Sequence, residues 1–402
     1  MTYRHKVAIV FLLGFFLDLI NMFIASVAFP AMAVELNSSA PALAWVSNGY
    51  IAGMTLVIPF SALITRRIGA KRLFILSLTL FCAAASAAGL AESLSHLIFW
   101  RVLQGAGGGL LIPVGQALAW QQFKPHERAG LSTAVMLVAL LAPASAPALG
   151  GVLIQFFSWR WIFFAPLPLA AVTLLLACLW LKNDTTPSGP ARLLHLPLLS
   201  DPLLRFAMLI YLCVPGIFIG VNVVGLFYLQ SVVKMTPAAT GALMLPWSLA
   251  SFIAISATGK YFNRLGPRPL IITGCLLQAA GIAGLSVVSA TTPEYIIIAL
   301  FVLMGAGGSL CSSTAQSTAF LNVAFDEMPD ASALWNINRQ LSFLLGATLL
   351  AVMLSTLQQI SPPLQAWHGT FILAGLITLV PLFSAIRLNN HQVLIHLHKE
   401  PS

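Results

Sequence analysis

Two ionisable residues stand where ionisable residues are expensive. Asp18 lies near the middle of the apolar run from Val7 to Pro30, VAIVFLLGFFLDLINMFIASVAFP, and Asn21 follows it by three positions, on the same face of a helix. Arg101 opens a second sequence of this kind, RVLQGAGGG, inside another apolar run. A carboxylate in hydrocarbon costs at least about 2.5 kcal/mol and persists where it faces a polar cavity or a partner. A guanidinium does not deprotonate and must find acceptors. Together they suit one chemistry, the reversible binding of a proton to a carboxylate whose charged form a fixed cation supports. If the two runs cross a bilayer in opposite directions, the 1.5 Å rise per residue places Asp18 and Arg101 within about 6 Å of one depth. The alternative is that the pair only holds a bundle together.

The elements that must position these residues are membrane helices. Of the 402 residues, 59% are hydrophobic and 8% charged, and the mean hydropathy is +0.92. Such a chain cannot cover a water-soluble globule with polar side chains. About 20 apolar residues cross roughly 30 Å of hydrocarbon, and runs of this kind fall near 7–30, 43–64, 72–92, 96–120, 129–156, 162–181, 206–230, 238–258, 269–289, 294–322, 332–356 and 367–387. The fold expected is therefore all-α and polytopic, with twelve transmembrane helices in two six-helix pseudo-repeats. The first run is too long for the apolar core of a signal peptide and no cleavage site of small residues follows it, so the mature chain is expected to begin near Met1.

With these spans, sixteen of the 20 Lys and Arg fall on one side of the membrane and Arg339 lies close to it. Arg160 and Lys234 lie opposite, and Arg101 is inside a span. By the positive-inside rule both termini are cytoplasmic. The net charge of +9 is then accounted for by topology and anionic headgroups, and nucleic acid is not an expected partner. The stretch KNDTTPSGPARLLHLPLLSD, Lys182 to Asp201, has the composition of a linker. It separates an N-terminal bundle, 1–182, from a C-terminal bundle, 205–390, through a linker at 183–204, with a cytoplasmic tail at 391–402. The halves echo one another. LQGAGGGL at Leu103–Leu110 returns as LMGAGGSL at Leu303–Leu310, and RRIGAKR at Arg66–Arg72 returns as NRLGPRP at Asn263–Pro269. Duplication in a membrane protein points to a transporter with its substrate site between the repeats.

The five cysteines lie inside the expected spans, are odd in number and lack ligand spacing, so they are read as packing residues and no metal is expected. All eight histidines are placed in loops or tails. No GxxxxGKS loop is present, which argues against transport driven by nucleotide hydrolysis, and neither face gathers catalytic groups. No cofactor and no enzymatic activity are expected.

These residues resemble the major facilitator superfamily, and within it the proton-coupled drug exporters, over nearly the whole chain. The loop after the second span is similar to the family's GxxxDRxGxRR, with Arg67, Gly69, Lys71 and Arg72 in place, Ala62 for the first glycine and Arg66 for the acid. The second copy keeps Gly259, Arg264, Gly266 and Arg268, with Asn263 for the acid. The resemblance implies a conformational latch here; topology alone is the competing reading. RVLQGAGGG resembles the family's buried Arg before a QG pair, and Gly105 with its neighbours is read as helix packing. APASAPALGG resembles the exporters' GxxxGPxxGG, retaining Pro147, Gly150 and Gly151. SWRWIFFAPLP, Ser158 to Pro168, is similar to a run of the fourteen-span exporters, so the chain looks like a shortened relative. Aligned on Ala28–Pro30, the exporters' first-span acid falls on Asn21, and Asp18 stands one turn deeper.

The function implied is export of small amphipathic or drug-like compounds in exchange for protons, by a monomer in a bacterial inner membrane whose partners are substrate, protons and lipid. Asp18 and Arg101 are the proton-coupling candidates. Asn21, Tyr50, Gln104, Gln116, Asn222, Gln230, Trp247, Gln316, Trp335, Asn336 and Arg339 are candidates to line the cavity, although helix-to-helix bonding is the commoner role of such residues. A transporter of one metabolite or sugar would share the fold and remains the alternative; a receptor or enzyme is the last.

Overall fold

Every helix expected from hydropathy is present. The computed structural model describes residues 1–183 and 193–398, and twelve of its helices are long and apolar enough to cross a membrane. They are α1 (Tyr3–Glu35), α2 (Ala42–Ile68), α3 (Ala70–Gly89), α4 (Leu94–Gln121), α5 (Pro125–Phe156), α6 (Trp161–Trp180), α7 (Pro202–Ser231), α8 (Ala239–Leu265), α9 (Pro267–Val287), α10 (Glu294–Thr318), α11 (Phe325–Ile360) and α12 (Pro363–Arg387). No strand occurs among the described residues. Linker residues 184–192, the last four residues of the tail, and the bases Arg192 and Lys399 lie outside the described residues, as does the side chain of Pro147.

Several helices outrun their apolar stretches. α11 begins at Phe325, well before the apolar run near 332, because backbone hydrogen bonding continues past the hydrocarbon edge while hydropathy reports only the centre. Their ends follow local chemistry. Ser93 accepts from the amide of His96 at 3.3 Å at the start of α4, and Asp201 accepts from the amides of Leu203 and Leu204 at 2.7 and 2.8 Å ahead of α7. Such caps satisfy amides that have no helical acceptor. α2 and α8 stop at Gly69 (φ 89°) and Gly266 (φ 73°), a left-handed region where a Cβ is strained. The echo between the two loops is thus a repeated tight turn. Within α7, the turn Leu212–Gly216 widens to π geometry around Pro215, whose missing N–H interrupts the α ladder.

The chain packs as two compact units. One comprises Met1–Lys124, Leu137–Leu196 and Val323–Ile337; the other comprises Pro125–Met136, Pro197–Asn322 and Asn338–Ser402. In the first, α4 packs along α2 and α3; in the second, α10 packs along α8 and α9. The first unit's core gathers Ile20, Ile24, Leu43, Val46, Trp159 and Phe163. The second unit's core centres on Tyr228, Leu229, Phe301, Met304 and Phe371. Many large apolar side chains point outward, among them Leu56, Leu179, Leu245 and Phe383, a surface suited to lipid and unsuited to water.

A further helix, α13 (Asn390–His398), occupies most of the stretch read as a tail. Val393 and Leu397 are buried against Ala129, Leu203, Phe262, Leu270 and Leu321. Its first residue holds the Gly266 turn: Asn390 Nδ2 donates to the Leu265 carbonyl at 2.7 Å, and Oδ1 accepts from the Arg268 amide at 3.1 Å.

Candidate functional site: a buried carboxylate and guanidinium

Five of the sequence candidates meet in the first unit. Asp18 and Asn21 from α1, Tyr50 from α2, and Arg101 and Gln104 from α4 are all at most 1% exposed. Arg101 ties the three helices together: Nε donates to the Val46 carbonyl at 3.0 Å, Nη2 to the Asn21 carbonyl at 3.0 Å, and Nη1 to Gln104 Oε1 at 2.8 Å. Gln104 in turn donates to Asn21 Oδ1 at 3.0 Å, and Asn21 Nδ2 donates to the Leu17 carbonyl at 2.9 Å. Burying an ion costs several kcal/mol. Three charge-assisted bonds at about 1.5–3 kcal/mol each are of the size needed to offset it.

Tyr50 stands between the two charges. Its hydroxyl donates to Asp18 Oδ1, and the Arg101 guanidinium carbon lies 4.3 Å from its ring centroid, a cation–π geometry. Phe163 of α6 closes the other side at 5.7 Å. Depth alone brings Asp18 near Arg101; the structure adds an aromatic link, Tyr50, which by its residue type suits a substrate cavity equally well. The glycines of α4 make this possible. A Cβ at Gly105 would meet the Tyr50 backbone, and one at Gly108 would meet Asp18 Oδ1 and come within 2.9 Å of the Tyr50 hydroxyl.

The loop motif has its own partners. Arg66, which stands where the family has an acid, pairs with Asp330 near the start of α11, and also donates to the Asp326 carbonyl at 3.2 Å. Lys71 donates to the Cys178 carbonyl at 3.0 Å, while Arg67 and Arg72 are exposed. Asp330 was missed because it sits 264 positions away; its only signal was an acid just ahead of an apolar run. In the second copy Asn263 donates to the His126 carbonyl at 2.6 Å, so an amide works where the family has a carboxylate. At the opposite end of α1, Glu35 accepts from Arg160 Nη2 at 2.7 Å and from Trp159 Nε1 at 2.6 Å. This fastens SWRW to α1, another contact absent from the sequence reading.

The remaining candidates divide between the units. In the first, Asn336 Nδ2 donates to Gln116 Oε1 at 2.6 Å, both residues are buried, and Trp335 is 1% exposed. In the second, Asn222 contacts Met244 Sδ at 3.8 Å, Gln230 donates to Thr240 at 3.0 Å, and Trp247 stacks on Phe218 with centroids 5.4 Å apart. Gln316 is buried and Arg339 half-buried. Gly150 packs on Ile24 and Val27, whereas a Cβ at Gly151 would meet nothing. The expectation for the histidines is corrected: His5, His96 and His126 lie in the first turns of α1, α4 and α5, and His368 lies in the second turn of α12, 3.2 Å from the Tyr228 hydroxyl. The helix begins at Pro363, four residues ahead of the apolar run near 367, because proline suits the first helical turn.

Twelve apolar helices with a duplicated sequence pattern, and a buried carboxylate and guanidinium within the first unit, are features of a secondary transporter. The model of the Major Facilitator Superfamily matches residues 11–347, and the chain belongs to that family of multi-pass membrane transporters. The protein described as Uncharacterized MFS-type transporter YhcA, of Bacillus subtilis (strain 168), is 26% identical over 401 residues, covering 86% of this chain and 75% of the relative. The Multidrug resistance protein B homolog of Mycobacterium tuberculosis (strain ATCC 25618 / H37Rv) is 26% identical over 396 residues, covering 84% and 73%. Among solved structures, the human organic anion transporter MFSD10 (TETRAN) superposes with a TM-score of 0.76 at 14% identity, covering 96% of this chain and all of that one. The proton:xylose symporter XylE gives 0.74 at 14%, covering 96% of each. At that identity the likeness is one of fold.

Proposed function

We propose that this chain exports small amphipathic or drug-like compounds in exchange for protons, by alternating exposure of one site to the two faces of a bacterial inner membrane. The observation that carries the reading is Asp18, a carboxylate 1% exposed in the middle of a membrane helix, bonded to Tyr50 beside a buried Arg101. Protonation removes a buried charge and so changes the relative free energies of the two facing states; a substrate that favours the ionised form is then exchanged for a proton. A potential of 100 mV supplies about 2.3 kcal/mol per charge moved. Relatives described as Multidrug resistance protein B homolog and Drug efflux pump JefA support export of drug-like compounds. Lys and Arg placement supports cytoplasmic termini, and the transporter works as a monomer with lipid around it.

The test is a drug-susceptibility and dye-efflux panel in cells expressing the chain, with and without an uncoupler, alongside Asp18→Asn. Efflux that the uncoupler and Asp18→Asn both abolish, with the variant folded and inserted, is expected. Undiminished proton-driven efflux in folded Asp18→Asn sinks the assignment of the proton site. Proton and substrate moving in the same direction in vesicles would replace antiport by symport of a metabolite.

A further inference from the structure

We propose that Tyr50 is the positioning residue of the proton site: its hydroxyl holds the ionised Asp18, and its ring passes the protonation state of that carboxylate to the Arg101 clamp. This rests on the proton role proposed for Asp18. The sequence suggested a different use for Tyr50, stacking on substrate, and its complete burial argues against that.

The geometry is specific at three points. The Tyr50 hydroxyl donates to the Asp18 carboxylate and lies 3.4 Å from the Asp18 carbonyl. The ring face takes the guanidinium at 4.3 Å. Gly108 leaves open the volume that the carboxylate and hydroxyl share, since its Cβ would meet both. A hydroxyl donating to a carboxylate favours the ionised form. Once Asp18 takes a proton, that bond loses its charge assistance and weakens by about half. The ring is then freer to move, and it is packed on Arg101, which bonds α1 through the Asn21 carbonyl and α2 through the Val46 carbonyl. A change at one oxygen therefore reaches the contact between three helices through two side chains.

Tyr50 from α2 and Arg101 from α4 face Asp18; α2 carries its other charges, Arg66 and Arg67, at its end, and α4 carries His96 in its first turn. α1 carries its other charges at its ends, Arg4, His5, Lys6 and Glu35; α3 and α5 carry theirs at their starts, Lys71 and Arg72, and His126, Glu127 and Arg128; α6 contains no acid, amine, guanidine or imidazole.

The experiment needs no substrate. The full chain in lipid vesicles is titrated by attenuated-total-reflection infrared spectroscopy, and the carboxyl C=O band of Asp18 is identified by its loss in Asp18→Asn. In Tyr50→Phe the midpoint of that band is expected about one pH unit higher, a tenfold weaker hold on the ionised form, with the band itself displaced. In wild-type chain carrying ring-deuterated tyrosine, a tyrosine band should change with the same midpoint. Gly108→Ala, which crowds both oxygens, should move the carboxyl band as well. If no titrating band depends on Asp18, the proton reading itself fails. If the band titrates but is unmoved in Tyr50→Phe, or if wild-type tyrosine bands stay constant through the titration, the positioning role is overturned and the proton reading stands.

Discussion

Arg101 cannot be replaced by another cation. Its planar fork serves three acceptors in three directions, the carbonyls of Val46 and Asn21 and the amide of Gln104; a lysine ammonium offers one point on a flexible stem. Arg101→Lys leaves at least one buried acceptor unmet, at about 1–3 kcal/mol each. We expect a lowered unfolding temperature in detergent and loss of the proposed efflux; an unchanged unfolding temperature would refute the clamp. The Arg66–Asp330 pair is similarly sheltered, with side chains 9% and 1% exposed. Removing one member of such a pair costs about 3–5 kcal/mol, so Arg66→Ala and Asp330→Ala should each destabilise. A double-mutant cycle should show strong coupling, the double variant costing clearly less than the two single losses added. Additive losses would show the pair to be incidental.

At the scale of elements, what was readable followed from physics that acts along the chain. Hydropathy located all twelve spans, and charge in an apolar run located Asp18 and Arg101, because both depend on a residue and its near neighbours. The partners were not readable. Tyr50 lies 32 positions from Asp18 and Asp330 lies 264 from Arg66, and a contact between helices leaves no periodic trace in one sequence. Arg66 in the acid's place looked like a loss, yet the acid is supplied from α11. Asn390 is the same lesson at the other loop, an amide from α13 bonding both ends of the Gly266 turn. Asn390→Ala removes two hydrogen bonds of about 1 kcal/mol each and should loosen α13 without affecting α1–α4. Faster proteolysis after residue 388, with the Asp18 infrared band unchanged, is the expected result; equal proteolysis rates would show that Val393 and Leu397 alone hold the helix.

For the whole molecule, the placement of basic residues in the connections predicts the orientation. Lys and Arg cluster in alternate connections: the α2–α3 turn carries Arg66, Arg67, Lys71 and Arg72, and the α8–α9 turn carries Arg264 and Arg268, while the α7–α8 connection holds only Lys234. Each such base resists translocation, and the bias summed over short loops sets which side stays inside. Twelve crossings then return the chain to its starting side. A fluorescent protein fused after Ser402 should therefore fluoresce in bacteria, and alkaline phosphatase at the same point should be inactive. Phosphatase inserted between Lys234 and Thr236 should be active, since that connection would face the periplasm. The reverse pattern would invert the transporter and count against the proposed direction of transport. An equal signal at both points would mean that one crossing fails to insert, and the candidate is α11, which carries the buried Asp330 paired with Arg66 near its start. Neutralising it with Asp330→Asn should then rescue insertion.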